Sequence, residues 1–416
     1  MSNELLSQHF FVKLLLLFIL SRFLGELFEQ MKKPAMIGEL LAGILLGSSV
    51  LGWINLDNQL KVIADIAVFF LVILAGLEIN SEEMKDAIKG KNIWISLMVF
   101  LIPIASGILV GYSFSLSMLS SIFLGLCIAI TALPVSIRLL MDIGKLNTDL
   151  GRKIVSAGAM NDILALMILG IIVNLTNSQE VSILNSLLLI GETVLKVLVF
   201  FIIVVIVYRF INWIINQFNT SRIEAIIVRY LRFFKSKERA FSFILLFILV
   251  FSSLSELVGL HMVIGTFFGA LLLREEILGE KHYGTFEKNV HSISMGFLSP
   301  IFFAIIGLAI NVHEINNLWF LLVVIIVSIA SKVLGGFIGA KIAGHTNMES
   351  LTLGIAVNGR GLMEIVIATI AYEKGVIDTN LYSVLIIMGM VATLLTSYII
   401  KIPFSKLDIL NSKQQS

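Results

Sequence analysis

Asp162 lies thirteen residues into one apolar stretch, 150–173, and Lys332 lies about fifteen residues into another, 317–340. A charged side chain at such a depth is costly and needs a partner or a function. A carboxylate there is the minimal device for exchanging a proton with a metal cation. Desolvation favours the protonated carboxyl, and a bound cation or a nearby lysine favours the ionised one. Proton and cation then compete for the same oxygens, which gives obligatory exchange without further chemistry. Asn161 could add an amide oxygen and Thr131 a hydroxyl, so Asp162, Asn161 and Thr131 form the candidate ligand set for a monovalent metal ion. The alternatives are a structural Asp162–Lys332 pair and an interhelical hydrogen bond at Asn161.

Other chemistry is poorly served. Cys127 is the one cysteine, which excludes an intrachain disulfide and a cysteine cluster for zinc or iron–sulfur. The six histidines show no HExxH-like spacing. No metal cluster or nucleophile–base constellation is present, so an intramembrane enzyme is the least favoured class, no catalytic residue is assigned and no cofactor is expected.

Three acid–base pairs stand four residues apart, on one helix face: Arg22/Glu26, Glu192/Lys196 and Arg360/Glu364. Local neutralisation accounts for the first two. Arg360 and Glu364 flank an expected helix break and are candidates for organising the site. Glu39 and Asp65 lie within a turn of a span end, where water can reach them. Glu78 closes its span as a capping or entry residue.

These side chains must be positioned by membrane-spanning helices. Of 416 residues 58% are hydrophobic and 14% charged, against roughly 45–50% and 25% in soluble domains. That composition excludes a soluble enzyme, a nucleic-acid binder and a disordered regulator. Apolar runs between breaks give thirteen spans, near 9–28, 34–50, 60–78, 92–112, 117–140, 150–173, 183–208, 240–256, 259–273, 289–310, 317–340, 347–372 and 380–401. The start, MSNELLSQHF, has no basic region and no A-x-A site follows, so the first span is expected to be retained. Connections after odd-numbered spans, with the tail, hold 23 of the 30 Lys and Arg, and the opposite side holds Lys13, Lys61 and Lys374. The positive-inside rule then puts the N-terminus outside and the C-terminus in the cytoplasm. The basic linker 209–239, with Phe210, Trp213, Phe218, Tyr230, Phe233 and Phe234, reads as a segment on membrane lipid rather than an RNA-binding one.

The chain repeats itself. Ile37 to Leu46 (IGELLAGILL) is matched by Ile264 to Leu272 (IGTFFGALL), and Phe69 to Asn80 (FFLVILAGLEIN) by Phe302 to Asn311 (FFAIIGLAIN), in the same order and at one nearly constant offset. The pairing joins spans one to six with eight to thirteen and leaves the seventh as a linker. An odd separation inverts the halves, the 6+1+6 inverted-repeat architecture of secondary transporters, with a midplane site between discontinuous helices. The expected breaks sit at equivalent places. Thr131-Ala132-Leu133-Pro134 interrupts the fifth span, because Pro134 removes a donor and biases the preceding residues to extended backbone. Asn358-Gly359-Arg360-Gly361 interrupts the twelfth. A simple kink at each is the alternative. Ser331, Gly335 and Gly339 form a small-residue row that permits close helix packing.

ITALPVSIRLLMDIGKLNTDLGRKIVSAGAMNDILAL (Ile130 to Leu166), NGRGLMEIVIATIAYEKGVI (Asn358 to Ile377), KPAMIGELLAGILLG (Lys33 to Gly47) and FFLVILAGLEI (Phe69 to Ile79) resemble the monovalent cation:proton antiporter-2 family. Its members include NapA-type sodium/proton antiporters and the membrane part of Kef-type potassium/proton systems. The resemblance covers nearly the whole chain. It implies an all-α polytopic fold of about thirteen helices, a homodimer, and an elevator-like moving core. Residues 1–91 and 240–311 would form the dimerisation scaffold, 92–175 and 312–402 the core, 176–239 a linker helix with a basic loop, and 403–416 a short tail. By the same resemblance Asp162 matches the cation- and proton-binding aspartate, Lys332 the intramembrane lysine, and Thr131 the crossover threonine. Such a protein would sit in a bacterial cytoplasmic membrane.

Electrogenic members often carry two adjacent aspartates, and Asn161 stands where the first would be. One titrating carboxylate favours electroneutral exchange, although loss of a proton from Lys332 would permit electrogenic exchange. Kef-type proteins also have an amide before the aspartate, which favours potassium. The chain ends about fifteen residues past the last span, so regulation through a large nucleotide-binding domain is not expected. A cation channel and a sodium-coupled solute symporter are the alternative functions on the same inverted-repeat fold.

Overall fold

The computed structural model describes residues 9–31, 33–77, 90–131, 136–137, 140, 143–146, 148–176, 183–217, 237–273, 275–311, 313, 315 and 317–407. The regular elements among these are helical. They run α1 (Phe10–Gln30), α2 (Ala35–Leu46), α3 (Asn58–Leu77), α4 (Asn92–Ser113), α5 (Met118–Ala129), α6 (Asp149–Thr176), α7 (Ile183–Gln217) and α8 (Lys237–Leu257). Then follow α9 (Met262–Leu271), α10 (Glu275–Leu278), α11 (Glu280–Ile293), a π-helical turn (Ser294–Leu298), α12 (Ser299–Ala309), α13 (Leu318–Ala343), α14 (Asn347–Ala356), α15 (Leu362–Glu373) and α16 (Thr379–Ile399). Among the described residues six helical stretches are long and apolar enough to cross a membrane: Asn58–Leu77, Asn92–Ser113, Asp149–Gly170, His282–Ala309, Leu318–Ala343 and Thr379–Leu407. In hydrocarbon each backbone group must be satisfied within its segment, and helices do this.

The ends of several helices are capped by their own side chains. Ser117 accepts from Ser120 N, Asn317 from Phe320 N and Asp378 from Leu381 N. Thr346 and Glu349 form a reciprocal capping box at the start of α14. The expected fifth and twelfth spans are both discontinuous. The first helical part, α5, stops at Ala129, and Ile130 is extended. The other is divided into α14 and α15, with Val357–Gly361 between them. Pro134 and Glu78 lie outside the described residues.

The chain divides into two compact units. One comprises Met1–Ala64, Ser81–Ala165 and Pro300–Ser416, the other Asp65–Asn80 and Leu166–Ser299. In the first, α1 packs on α2, α4 lies between α5 and α13, and α13 also packs on α14. In the second, α8 packs on α9, and Ile73, Leu74, Ile244, Ile248, Phe286 and Val290 form an apolar core.

Glycines set the closest helix approaches, and their contacts come in pairs. A Cβ at Gly38 would fall on the Leu24 carbonyl, and a Cβ at Gly265, its counterpart in the repeated segment, on that of Phe251. Gly307 lies against Leu40 O and Gly43 Cα. In the other unit Gly76 lies against Phe267 O and Ala270 Cβ, the counterparts of Leu40 and Gly43 at the same offset. Gly107 meets Gly125, and Gly336 meets Gly354, a second pair displaced along the chain by nearly that offset. At these positions any side chain would push two helix backbones apart.

One ion pair fixes the entry to α3. Lys13 Nζ stands 2.6 Å from Asp57 Oδ2, and Asp57 Oδ1 accepts from Leu60 N at 2.9 Å. Burial pushes the Asp57 carboxyl up, but the hydrogen bonds from Lys13 and Leu60 outweigh it and hold the group below its ordinary value. A carboxyl depressed on folding adds stability above its unfolded pKa of about 3.9, and that stability is lost as pH falls through the folded value.

Two outcomes test this packing. Gly307→Val is expected to lower stability by about 1–3 kcal/mol in a detergent melt. Gly284→Ala, where a Cβ meets nothing within 4 Å, is expected to be neutral or slightly stabilising. Equal losses in both would contradict the assignment of a backbone contact to Gly307. Asp57→Asn should lower the melting temperature at pH 7, with the difference from the parent shrinking below about pH 4.

Candidate functional site

A helix that ends inside an apolar region exposes its last carbonyls, which carry the negative end of the helix dipole. At the end of α5 two cations take them. Arg360 Nη1 donates to Cys127 O at 2.6 Å and to Ile130 O at 3.4 Å. Lys332 Nζ donates to Ala129 O. Both cations are 0% exposed.

Lys332 comes from the middle of α13 and makes two further bonds, to Thr131 Oγ1 at 2.7 Å and to Val99 O at 3.3 Å. The second has a covalent cause. Val99 O would ordinarily accept from the N–H four residues on, and that residue is Pro103, inside α4. Proline has no N–H, so the carbonyl is left for the lysine. Pro103 is not among the expected site residues. A proline within an unbroken apolar span is the sequence signal for a freed carbonyl.

Thr131, just past the end of α5, links Lys332 to Asn161 on α6. The hydrogen-bond network orients the Asn161 amide with its oxygen accepting from Thr131 Oγ1 at 3.2 Å. Its nitrogen then donates to Ala157 O at 3.3 Å and Ser96 O at 3.2 Å. Asp162 follows on the same helix and is 2% exposed. Its charge, with those of Arg360 and Glu364, acts on the Lys332 ammonium through space. The structure therefore brings Thr131, Asn161, Asp162 and Lys332 into one buried polar cluster at the end of a broken helix. Lys332 reaches its hydroxyl and carbonyl acceptors through direct hydrogen bonds.

The second break is satisfied by neutral groups. Arg360 N donates to Thr393 Oγ1 at 3.2 Å, and that hydroxyl donates to Arg360 O at 2.9 Å. Thr396 Oγ1 donates to Asn358 O at 3.4 Å. Thr393 and Thr396 stand three apart on one face of α16 and are likewise absent from the expected set. Paired hydroxyls in an apolar helix are the signal that could have found them. The guanidinium of Arg360 reaches a third element at Ser328 O, 3.4 Å from Nη2. Arg360 and Glu364 are 3.9 Å apart, so the i,i+4 spacing yields a long ion pair while the arginine hydrogens go to carbonyls.

The remaining expected charges lie elsewhere. Glu192 and Lys196 pair at 2.8 Å on α7. Arg22, Glu26 and Asp65 are exposed, and Glu39 is buried beside Gly25. Among the described residues no group of three or more His, Cys, Asp or Glu is placed to hold a metal. What the cluster offers is one buried carboxylate, amide and hydroxyl oxygens, and backbone carbonyls at a helix end that Lys332 and Arg360 engage. These are oxygen ligands suited to a hard cation.

The transmembrane sodium/hydrogen exchanger family matches residues 14–406. The sodium/proton antiporter of Enterococcus hirae is 28% identical over 393 residues, covering 94% of this chain and 97% of that protein. The Na(+)/H(+)-K(+) antiporter GerN of Bacillus cereus is 26% identical over 400 residues, covering 96% and 97%. Among solved structures, the sodium proton antiporter MjNhaP1 of Methanocaldococcus jannaschii superposes with a TM-score of 0.66 at 18% identity, covering 94% of this chain and 95% of that one. That likeness supports the fold.

Lys332→Met leaves the Ala129 and Val99 carbonyls without this donor, and the expected loss is about 2–4 kcal/mol of stability. Pro103→Ala supplies an N–H to Val99 O. In the Lys332→Met background it should recover part of that loss, and in the parent it should not stabilise to the same extent. Additive effects in a double-mutant cycle would contradict the shared carbonyl.

Proposed function

This chain belongs to the sodium/hydrogen exchanger family, and from that premise we propose that it is a secondary-active antiporter that exchanges a monovalent cation, sodium or potassium, for protons. It is an integral membrane protein and not an enzyme. Asp162 carries the cation and the proton alternately, and Asn161 and Thr131 complete the ligand set. The observation that carries the reading is a buried carboxylate placed next to a helix break whose carbonyls and hydroxyl lie among charged groups.

The polar cluster also suggests how the cycle runs. The Lys332 ammonium occupies Thr131 Oγ1 and Ala129 O, oxygens that a metal cation would also use. Cation entry therefore requires Lys332 to withdraw from at least one of them. Asn161 in place of a second acid leaves one titrating carboxylate in the ligand set, so electroneutral exchange is favoured.

The glycine contacts repeated at one nearly constant offset support a 6+1+6 inverted repeat of thirteen helices. On that basis 92–175 and 312–402 form the moving core and 1–91 and 240–311 the scaffold of a homodimer. Residues 176–239 form the linker helix and basic loop, and 403–416 the tail. The core alternates by an elevator movement. The distribution of Lys and Arg supports an outside N-terminus and a cytoplasmic C-terminus in a bacterial cytoplasmic membrane.

In proteoliposomes with an imposed pH gradient, sodium or potassium should collapse the gradient at clamped potential for the parent. Asp162→Asn should reduce that flux at least about 100-fold while the protein still inserts and elutes as the parent does. Retained coupled transport in Asp162→Asn would sink the mechanism. A dependence of the parent's rate on the clamped potential would overturn electroneutral exchange.

A further inference from the structure

Four charged side chains are buried around the end of α5 and the second break: Lys332 and Arg360 at 0% exposure, Asp162 and Glu364 at 2%. Their formal charges cancel. The two cations cap carbonyls and Asp162 is the carrier, which leaves Glu364 without a role.

Glu364 stands in the first turn of α15. Among the described residues, neither of its oxygens accepts a hydrogen bond. The Arg360 Nη1 that faces it at 3.9 Å donates to Cys127 O and Ile130 O instead. From α16 the carboxylate meets Gly389. A Cβ there would lie 3.2 and 3.3 Å from the two oxygens and 3.4 Å from Cδ. Glycine is thus the residue that gives the carboxylate its room. The titratable groups that act on it are Arg360 at the break, Lys332 on α13 and Cys127 on α5. A carboxylate held this way is a poor structural brace, because it makes no directional bond. Its influence is its charge, which reaches far in a poorly solvated interior.

We propose that Glu364, seated against Gly389, sets the affinity of the transport site for its monovalent cation. In its ionised form its negative charge offsets one of the two buried cations. Without it, the buried set of Lys332, Arg360 and Asp162 carries a net charge of +1 and holds an incoming metal ion less tightly. Glu364 acts through the site's potential and touches neither Thr131 nor Asn161 in the described contacts. The inference rests on the reading of Asp162 as the carrier.

Sodium-dependent proton flux in proteoliposomes, titrated with sodium chloride at one fixed pH, tests it. Glu364→Gln should raise the apparent sodium KM about tenfold, with Vmax within about threefold of the parent. Glu364→Asp should return KM to within about threefold of the parent. A fall in Vmax at unchanged KM in Glu364→Gln, the result of a merely structural role, overturns the proposal. Where Glu364→Gln does not fold, Glu364→Met, which also removes the charge, decides on the same readout: a rise in KM of about tenfold supports the proposal, and an unchanged KM overturns it. Asp162→Asn is measured in parallel. Transport retained there removes the premise, and that result is independent of what position 364 shows.

Discussion

The carbonyl end of α5 is the constraint around which the site is organised. A helix that stops inside an apolar region leaves carbonyls that water cannot satisfy. Here Arg360 and Lys332 converge on Cys127, Ala129 and Ile130 from two other elements. Placing two cations in the interior is itself costly. The carbonyls, the helix dipole and the two buried carboxylates together offset that cost. The four charged residues around these two breaks are therefore one interdependent set.

The two breaks use different chemistry for the same need. The first is held by cations, the second by the hydroxyls of Thr393 and Thr396 on α16. The difference suits the proposed exchange. A hydroxyl cap gives the second break a fixed neutral geometry, whereas a cationic cap responds when charge at the neighbouring carboxylate changes. At the first break Lys332 is the hub, since it touches the α5 carbonyl, the carbonyl freed by Pro103 and the hydroxyl that orients Asn161. In the proposed exchange, a cation that displaces Lys332 from one of these oxygens would disturb a cluster shared by α4, α5 and α13.

Close helix approach provides the rigid frame for these groups. Gly335 against Met98 and Gly339 against Ile95 bring α13 to α4 at backbone contact. That proximity lets a lysine on α13 reach a carbonyl on α4. Larger residues at those positions would separate the helices and put the acceptors out of range.

Composition and local chemistry were enough to read an all-helical membrane fold and the neighbourhood of two breaks from the chain alone. Apolar runs marked the helices, and Thr131 and Asn358–Gly361 marked the places where α5 stops and α14 gives way to α15. Two mid-span charges, Asp162 and Lys332, stood out because few others were present. The repeated segments carry glycines whose backbone contacts recur at nearly one offset, a pairing seen only in the packed structure. Partners, by contrast, came only from packing. Arg360 was legible as the i,i+4 neighbour of Glu364, yet its hydrogens go to carbonyls that carry no residue signature. Pro103, Thr393, Thr396 and Gly389 looked like ordinary residues of apolar helices. Thr393, Thr396 and Gly389 acquire their roles from backbone groups or a carboxylate brought against them by packing, and Pro103 from a lysine that reaches the carbonyl it frees from more than half the chain away. Residue types fix which charges must be compensated, and only the packed backbone fixes which groups compensate them.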